Sequence, residues 1–446
     1  MSSITAQPAT QEPHHHTVEE AKVVYGKITR RLIPFLFICY ITNYLDRVNI
    51  GFAKLQFLQD LNFSEAVYGF GAGLLFVGYV LFGVPSNLYL QKHGARATLL
   101  RLMVVWGVLS GATAFVKTPM QLYVARFLLG AVEAGFFPGI ILYLTYWFPS
   151  SRRGRIISSF MMAIPVSSFF GNPISGWIMK HLAHVYAFKG WQMLFICEGL
   201  PSVILGVSAY FYLSDKPDKV NWLTARQKEI VLHDLEADRT LKKNAGGSLK
   251  LALLDPKVYI AGFVYVALFG GSVAMGLWTP TLIKGLGISD LAILGLVSAI
   301  PFGAAAAGMY LIGASSDKFL ERRWHTAVAA IASGACFMLL GPAAGHVGIS
   351  VCLLGIAGAC LYGAIVVFWA IPTAYLAGPA AAAGIALISS FGALSGFFIP
   401  TIIGWIKVRT GSLYVGLTFV GVVLIVGALV LLIGINASLL RERKTS

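Results

Sequence analysis

The sequence contains few charged residues. Only 12% of its 446 residues are Asp, Glu, Lys or Arg, whereas 57% are hydrophobic, and the mean hydropathy is +0.75. A soluble globular protein has about 25% charged residues. The composition therefore excludes an ordinary soluble protein and indicates that most of the chain lies in lipid.

Several functional signatures are also missing. The sequence has no GxxxxGK[ST] motif, which excludes a P-loop ATPase, and no TVGYG-like segment of a potassium filter. None of the nine histidines lies deep in an apolar run, so a haem or quinone role is not indicated. The first 31 residues are polar and contain no apolar core of a cleavable signal peptide.

Cysteine is scarce, and no pair has CxxC spacing. We interpret the five cysteines as small packing residues, not as disulfides or metal ligands. They are Cys39, Cys197, Cys336, Cys352 and Cys360. The run His14–His16 indicates a polar tail, with weak metal binding as the alternative. We therefore predict no metal site and no cofactor other than a coupling proton.

Twelve apolar runs are present, and most are long enough to cross a bilayer, which takes about 20 helical residues. They predict an all-α membrane protein with twelve transmembrane helices in two six-helix halves. A charged segment separates the halves, and we expect it to be helical over 224–239 and flexible around Ala245–Ser248. The predicted divisions are a cytoplasmic tail (1–31), a first half (32–213), a connector (214–256), a second half (257–438) and a cytoplasmic tail (439–446).

The net charge of +15 is distributed unevenly. With a cytoplasmic N-terminus, 25 of the 34 Lys and Arg residues fall in inside segments and seven in outside loops, among them Lys54. This bias follows the positive-inside rule and predicts that both termini are cytoplasmic. It also argues against a nucleic-acid-binding surface.

The two halves resemble each other. Pro173-Ile-Ser-Gly-Trp-Ile-Met-Lys180 closes the fifth run, and Pro400-Thr-Ile-Ile-Gly-Trp-Ile-Lys407 closes the eleventh. Repeated halves of six spans are typical of secondary transporters, with the substrate site between the repeats near the middle of the membrane. Chance recurrence of Gly, Trp and Lys near helix ends is the alternative.

Five charges interrupt apolar runs, and all five lie in the first half. They are Asp46, Arg47, Arg126, Glu133 and Glu198. Each costs roughly 2.5–3.5 kcal/mol to insert at the bilayer centre, which favours a functional role. Arginine binds carboxylates through a bidentate fork, and a carboxyl group in an apolar cavity can take up a proton near neutral pH.

These charges predict a transport site in which a fixed cation binds an anionic substrate and nearby acids carry protons. Arg47 and Arg126 are candidate substrate-binding residues, and Asp46, Glu133 and Glu198 are candidate proton carriers. Two alternatives remain open. Asp46, Arg126 and Glu133 could form neutralised pairs that only hold helices together, and Glu198 could have a structural hydrogen-bonding role.

Polar and aromatic residues elsewhere in the runs are further candidates for lining the cavity. They are Tyr44, Tyr79, Trp369, Ser389 and Ser390. Tyr44 precedes Arg47 by three residues and shares its helix face. Aromatic residues in membrane helices usually pack against neighbouring helices or lipid, which is the alternative for each of them.

Several segments resemble the recurring patterns of the major facilitator superfamily and, within it, of the anion:cation symporter family. They are Asn43–Ala53, Gly83–Asn87 with Lys92 and Gly94–Arg96, Arg126 with Gly130 and Glu133–Gly135, Trp147–Pro149, and Ala382–Leu387. The resemblance covers residues 30–440. It implies proton symport of organic anions such as sugar acids, tartrate or aromatic acids, with Asp46 and Glu133 as proton carriers.

The chain departs from this resemblance at two places. The family's acidic residue between the second and third spans is replaced by Gln91, near Arg96, whereas Asp317 and Lys318 keep the corresponding gate in the second half. We expect the first-half gate contact to be weakened. In the eleventh span, Ala393 stands where sugar-acid carriers have an amide, which favours an aromatic or dicarboxylic substrate.

We therefore predict a transporter of the bacterial inner membrane that imports a small organic anion with protons. Its expected partners are that anion and the lipid bilayer, without nucleic acid, and it is expected to function as a monomer. A sugar-acid symporter and an organic-anion antiporter or exporter remain the alternatives. An enzyme is not expected, because neither a catalytic cluster nor an extra soluble domain is evident.

Overall fold

The computed structural model describes residues 16–244, 254–376 and 378–435, and within these ranges the regular structure is entirely helical. The predicted all-α architecture is confirmed. Ten helices are long and apolar enough to cross a membrane. Two more complete the twelve: α1, which carries Asp46 and Arg47, and α9, which has 17 residues.

The first half contains six membrane helices. They are α1 (Val18–Asp60), α2 (Glu65–His93), α3 (Ala95–Ala112), α4 (Pro119–Glu133, continuing as Phe136–Thr145), α5 (Ser150–Met161, continuing as Ala163–His181) and α6 (Gly190–Tyr212). Short 3-10 turns follow α3 at Thr113–Phe115 and precede α6 at Val185–Ala187.

The second half contains the other six. They are α7 (Pro256–Gly285), α8 (Leu291–Phe319), α9 (Arg323–Leu339), α10 (Val347–Phe368, continuing as Ala370–Tyr375), α11 (Gly378–Thr410) and α12 (Leu413–Gly434). Between the halves lie a 3-10 turn at Pro217–Lys219 and the connector helix, Ala225–Asn244. Ala245–Ser248 and the C-terminal tail (439–446) lie outside the described residues.

The helices pack in the same pattern in both halves. In the first half α1 packs against α5 and α6, α2 against α4, and α3 against α6. In the second half α7 packs against α11 and α12, α8 against α10, and α9 against α12. The helix interrupted after Glu133, α4, corresponds to the one interrupted at Trp369, α10. This correspondence explains the sequence repeat as two copies of one six-helix arrangement.

The repeated Gly-Trp pairs lie where the halves meet. A Cβ at Gly176 of α5 would collide with the Leu291 carbonyl of α8, and a Cβ at Gly404 of α11 would collide with the Glu65 carbonyl of α2. Both positions therefore require glycine for close helix packing. The adjacent Trp177 and Trp405 side chains are more than half exposed.

Helix α1 is longer than the apolar run that predicted it. It begins at Val18, where the Thr17 and Glu20 side chains and backbone N–H groups form a capping box, and it continues to Asp60. Lys54, expected in an outside loop, lies inside this helix with its side chain only 2% exposed. We call the side that carries the connector helix the connector face and the opposite side the far face.

Candidate functional site

Arg47, Arg126 and Glu133 meet where α1 passes α4. Helix α4 begins at Pro119 with a Thr118–Gln121 capping box, and its first segment ends at Glu133, where the helix is interrupted. Gly130 brings α4 against the backbone of α2, because a Cβ there would collide with the Leu75 carbonyl. Arg126 and Glu133 are two turns apart and therefore face α1 together.

Arg47 and Glu133 form a buried ion pair. The Arg47 Nε donates to Glu133 Oε2 at 2.7 Å, and the two side chains are 10% and 0% exposed. Arg47 Nη2 and Glu133 Oε1 have no hydrogen-bond partner among the described residues. The guanidinium therefore keeps free N–H groups with which it could bind a second anion.

A small cavity between the halves opens onto Arg47. Tyr44 and Arg47 line it from α1, and the remaining walls are apolar side chains of α1, α2 and α7. These are Val48, Phe76, Phe269, Val273 and Leu277. The Tyr79 ring covers the guanidinium, with its centroid 4.7 Å from Arg47 Cζ. The cavity thus presents one cation in an apolar and aromatic surrounding.

Arg126 has a different role from Arg47. Its Nη1 donates to the Asp46 carbonyl at 3.3 Å, and its Nη2 donates to the Arg47 carbonyl at 3.2 Å. The side chain is buried. Arg126 therefore ties α4 to the middle of α1 through the α1 backbone, and it forms no ion pair with a carboxylate of the described residues.

Asp46 points away from Arg47, into the interior of the first half. Its carboxyl oxygens accept hydrogen bonds from Ser110 of α3 at 2.6 Å and Ser202 of α6 at 2.9 Å. Glu198 of α6 accepts from Ser175 of α5 at 2.6 Å. Both acids are buried, and no cation lies within ion-pair distance of either in the described ranges.

Serine hydroxyl groups therefore donate the hydrogen bonds that these two acids accept in the described ranges. Sequence reasoning missed the three serines, since serine is common in membrane helices and the rotation of each helix was unknown. Asn49 lies one turn after Asp46 on the same helix and is also buried.

The other predicted lining residues lie in the second half. Trp369 lies at the interruption of α10 and packs on Tyr265 of α7, with ring centroids 4.8 Å apart. Ser389 and Ser390 are exposed on α11, and the Ser390 hydroxyl donates to the Ala386 carbonyl of its own helix. The structure does not bring these three residues into contact with Arg47 in the described ranges.

The predicted gate residues lie on the connector face. The Arg96 backbone N–H donates to the Asp215 carboxylate at 3.0 Å, and its Nε donates to the Tyr210 carbonyl at 2.8 Å. Asp215 thus contacts the Arg96 backbone, whereas the Arg96 side chain contacts a carbonyl, and the weakened gate contact stays a prediction. In the second half Asp317 pairs with Arg322, whereas Lys318 is exposed beside the Phe319 ring.

Ion pairs join the two halves at the far face. Glu65 of α2 pairs with Lys407 of α11 and, at 2.8 Å, with Lys54 of α1. The Lys54 ammonium also lies 3.6 Å from the Trp278 ring centroid and 4.2 Å from that of Tyr68. Lys180 of α5 pairs with Asp290 and holds the pKa of that carboxyl below its usual range. These contacts hold the halves together at the far face.

Replacing Lys407 with glutamine should open the far face. The change breaks the bridge between the halves but leaves the Lys54–Glu65 pair intact. The reporter is Ser298→Cys, because Ser298 is buried between α8 and α5. We expect its labelling to accelerate about tenfold, because losing a charge-assisted hydrogen bond makes opening easier by roughly 1.5 kcal/mol. The measurement is the maleimide-labelling rate in a background without the native cysteines.

Arg409→Gln is the matched control for this experiment, because Arg409 is exposed on the same helix and stacks on Trp405 of that helix. Equal labelling rates in the Lys407 variant and in this control would show that the bridge does not hold the halves closed.

Comparisons with known proteins agree with this architecture. Residues 36–400 match the model of the Major Facilitator Superfamily. The chain is 46% identical over 396 residues to the "Putative metabolite transport protein NicT" of Pseudomonas putida, covering 89% of this chain and 91% of the relative. It is 44% identical over 412 residues to a "Putative tartrate transporter" of Agrobacterium vitis, covering 92% and 94%.

A solved D-xylose-proton symporter has the same fold. Its structure superposes with a TM-score of 0.71, covering 90% of this chain and 96% of the symporter, at 16% sequence identity. The superposition supports the shared fold, whereas identity this low carries no argument about substrate.

Proposed function

The chain belongs to the Major Facilitator Superfamily, a family of membrane transport proteins, and we propose that it imports a small organic anion together with protons by alternating access. The observation that carries this proposal is the buried Arg47–Glu133 pair beside a cavity between the halves. One relative is named a tartrate transporter, which agrees with a carboxylate substrate.

Coupling follows from the cost of burying an unpaired charge. Arg47 is always charged, so in its buried position it needs an anion beside it. When Glu133 is ionised, it is that anion. When Glu133 takes up a proton, the guanidinium is free for a substrate carboxylate. Proton binding and substrate binding therefore support each other, which is the requirement for symport.

Asp46 and Glu198 supply further proton sites in this proposal. Both carboxyl groups are buried and accept hydrogen bonds from serine hydroxyls, and no cation of the described residues lies within ion-pair distance, so ionisation there is costly. We propose that the proton passes between them and Glu133 as the halves rock. Arg126 positions α1 for this exchange through its two carbonyl contacts.

The cavity walls determine which anion fits. Tyr44 and Tyr79 surround the Arg47 site, and we propose that Trp369, Ser389 and Ser390 complete it when the second half moves closer. Apolar and aromatic walls around one cation favour an aromatic acid, and a dicarboxylic acid stays a prediction from the sequence. A sugar-acid symporter and an organic-anion antiporter or exporter of the same fold remain the alternatives.

The same proposal places the connector face and both termini in the cytoplasm of a bacterial cell, by the positive-inside rule. Arg96, Asp317 and Lys318 then form the cytoplasmic gate, and the chain works as a monomer with no cofactor except the coupling proton. Transport assays on intact cells and on inverted vesicles test the orientation.

An uptake screen tests the function directly. The screen offers sugar acids, tartrate, phthalate and hydroxybenzoates to a strain without its own carriers. When the strain expresses this chain, it should accumulate one of these organic acids. An inward proton gradient should drive that uptake. Accumulation driven by the reverse gradient would identify an antiporter, and no uptake of any carboxylate would contradict the proposal.

The Tyr79 ring should contribute measurably to anion affinity. We expect Tyr79→Leu to lower affinity about tenfold, because a desolvated cation–π contact contributes roughly 1–2 kcal/mol. Tyr79→Phe keeps the ring and should remain within about twofold of the parent protein. Equilibrium binding of the anion found in the screen measures the affinity of both variants. Equal losses of affinity in Tyr79→Leu and Tyr79→Phe would assign the effect to the hydroxyl.

A further inference from the structure

Two histidines and an aspartate meet on the connector face, away from Arg47. His16 directly precedes the first residue of the α1 capping box, and His233 and Asp234 are neighbours in the connector helix. His16 Nε2 lies 3.1 Å from Asp234 Oδ1, and His233 Nδ1 lies 3.7 Å from the same oxygen. One potential ligand atom from each residue lies within 4.8 Å of the others.

Neighbouring residues hold this cluster in place. The Tyr25 hydroxyl donates to Asp234 Oδ2 at 2.9 Å, which leaves Oδ1 directed at the two imidazoles. The capping box at Thr17 fixes the start of α1 and therefore the position of His16. The side chains of His16 and Asp234 are largely buried, whereas His233 is 56% exposed.

We propose that His16, His233 and Asp234 bind a divalent transition-metal ion of the Zn²⁺ class, which links the start of α1 to the connector helix. Imidazole nitrogen and carboxylate oxygen suit such ions, whereas Mg²⁺ and Ca²⁺ prefer oxygen ligands alone. Ligand atoms around tetrahedral zinc lie about 3.3 Å apart. The distances of 3.1 and 3.7 Å from the two imidazole nitrogens to Asp234 Oδ1 are close to this value. Water completes the coordination.

The geometry favours a metal site over an ordinary ion pair. A His16–Asp234 pair would account for one histidine, whereas here a second imidazole approaches the same carboxylate oxygen with its ring nearly perpendicular to the first. The Tyr25 hydrogen bond to the other oxygen corresponds to the outer-shell partner that orients a carboxylate ligand. The sequence alone predicted no metal, because it could not place His233 and Asp234 beside His16.

Zinc titration of the full-length protein tests the site. The protein is purified without a polyhistidine tag and titrated with Zn²⁺ alone in detergent by calorimetry. We expect one Zn²⁺ per chain, with an affinity that falls at least tenfold in His233→Gln and in Asp234→Asn. Tyr25→Phe, which removes the orienting hydroxyl, should lower affinity about tenfold. His346→Gln, at an exposed histidine elsewhere, should leave it unchanged.

The His233 variant separates this site from binding by the N-terminal histidines. His233 is more than half exposed, so its replacement should not disturb folding, and the metal-free unfolding temperature checks this. Unchanged zinc affinity in both His233→Gln and Asp234→Asn would assign the metal to the tail and overturn the proposal. Absence of zinc binding to the parent protein would overturn it as well.

Discussion

An Asp46→Asn protein should lose pH-driven accumulation of its substrate while it still exchanges substrate across the membrane. Asparagine keeps the size of the side chain and can hydrogen-bond to Ser110 and Ser202, but it cannot carry a proton. One pH unit supplies about 1.4 kcal/mol per proton, which corresponds to roughly tenfold accumulation at one proton per anion. We expect the variant to show no accumulation above the external concentration.

Two assays in proteoliposomes separate the loss of coupling from the loss of transport. Uptake under an imposed pH gradient measures accumulation, and counterflow with a preloaded lumen measures exchange. Asp60→Asn is the control, because Asp60 lies at the far end of the same helix and pairs with Lys189 of the same half. Normal accumulation by the Asp46 variant would show that this acid does not couple protons to transport.

Replacing Arg47 with glutamine should nearly abolish binding of the anion. Removing one partner of a buried, hydrogen-bonded charge pair costs roughly 2–5 kcal/mol, so the affinity should fall at least about thirtyfold. Arg47→Lys keeps the charge but loses the planar fork and its stacking on Tyr79. Its affinity for the anion should lie between those of the parent protein and Arg47→Gln. Without its partner, Glu133 can become protonated, so the fold should tolerate the change.

Binding of the transported anion to purified protein measures this effect, with the unfolding temperature as a check on folding. Arg409→Gln removes an exposed arginine and should leave the affinity unchanged. If Arg47→Gln binds the anion as tightly as the parent protein does, the cation that holds the substrate lies elsewhere.

The architecture and the location of the charges could be predicted from the sequence. Charges that interrupt long apolar runs are conspicuous, and they pointed to α1, α4 and α6. The repeated Gly-Trp pairs predicted two similar halves, and the structure explains them through the close contacts of Gly176 and Gly404. Hydropathy and spacing are sufficient for such features because they depend on one helix at a time.

Contacts between distant helices could not be predicted. Asp46 meets Ser110 and Ser202 because α3 and α6 present those faces to α1, and apolar runs do not determine how a helix is rotated. For the same reason the Asp215 carboxylate beside Arg96 was missed. Lys54 was expected in a loop, since the apolar run ended before it, but the Tyr68 and Trp278 rings and Glu65 accommodate its charge inside the structure.

Proton movement that accompanies the anion is the most direct test of the central claim. Proteoliposomes with a trapped pH-sensitive dye receive the transported anion outside at equal pH, with protein-free liposomes as the control for passive diffusion of the acid. We expect the lumen to acidify at a rate that follows anion entry. With the Asp46→Asn protein, the luminal pH should remain constant. Entry of labelled anion without acidification of the lumen, or with alkalinisation, would contradict proton symport.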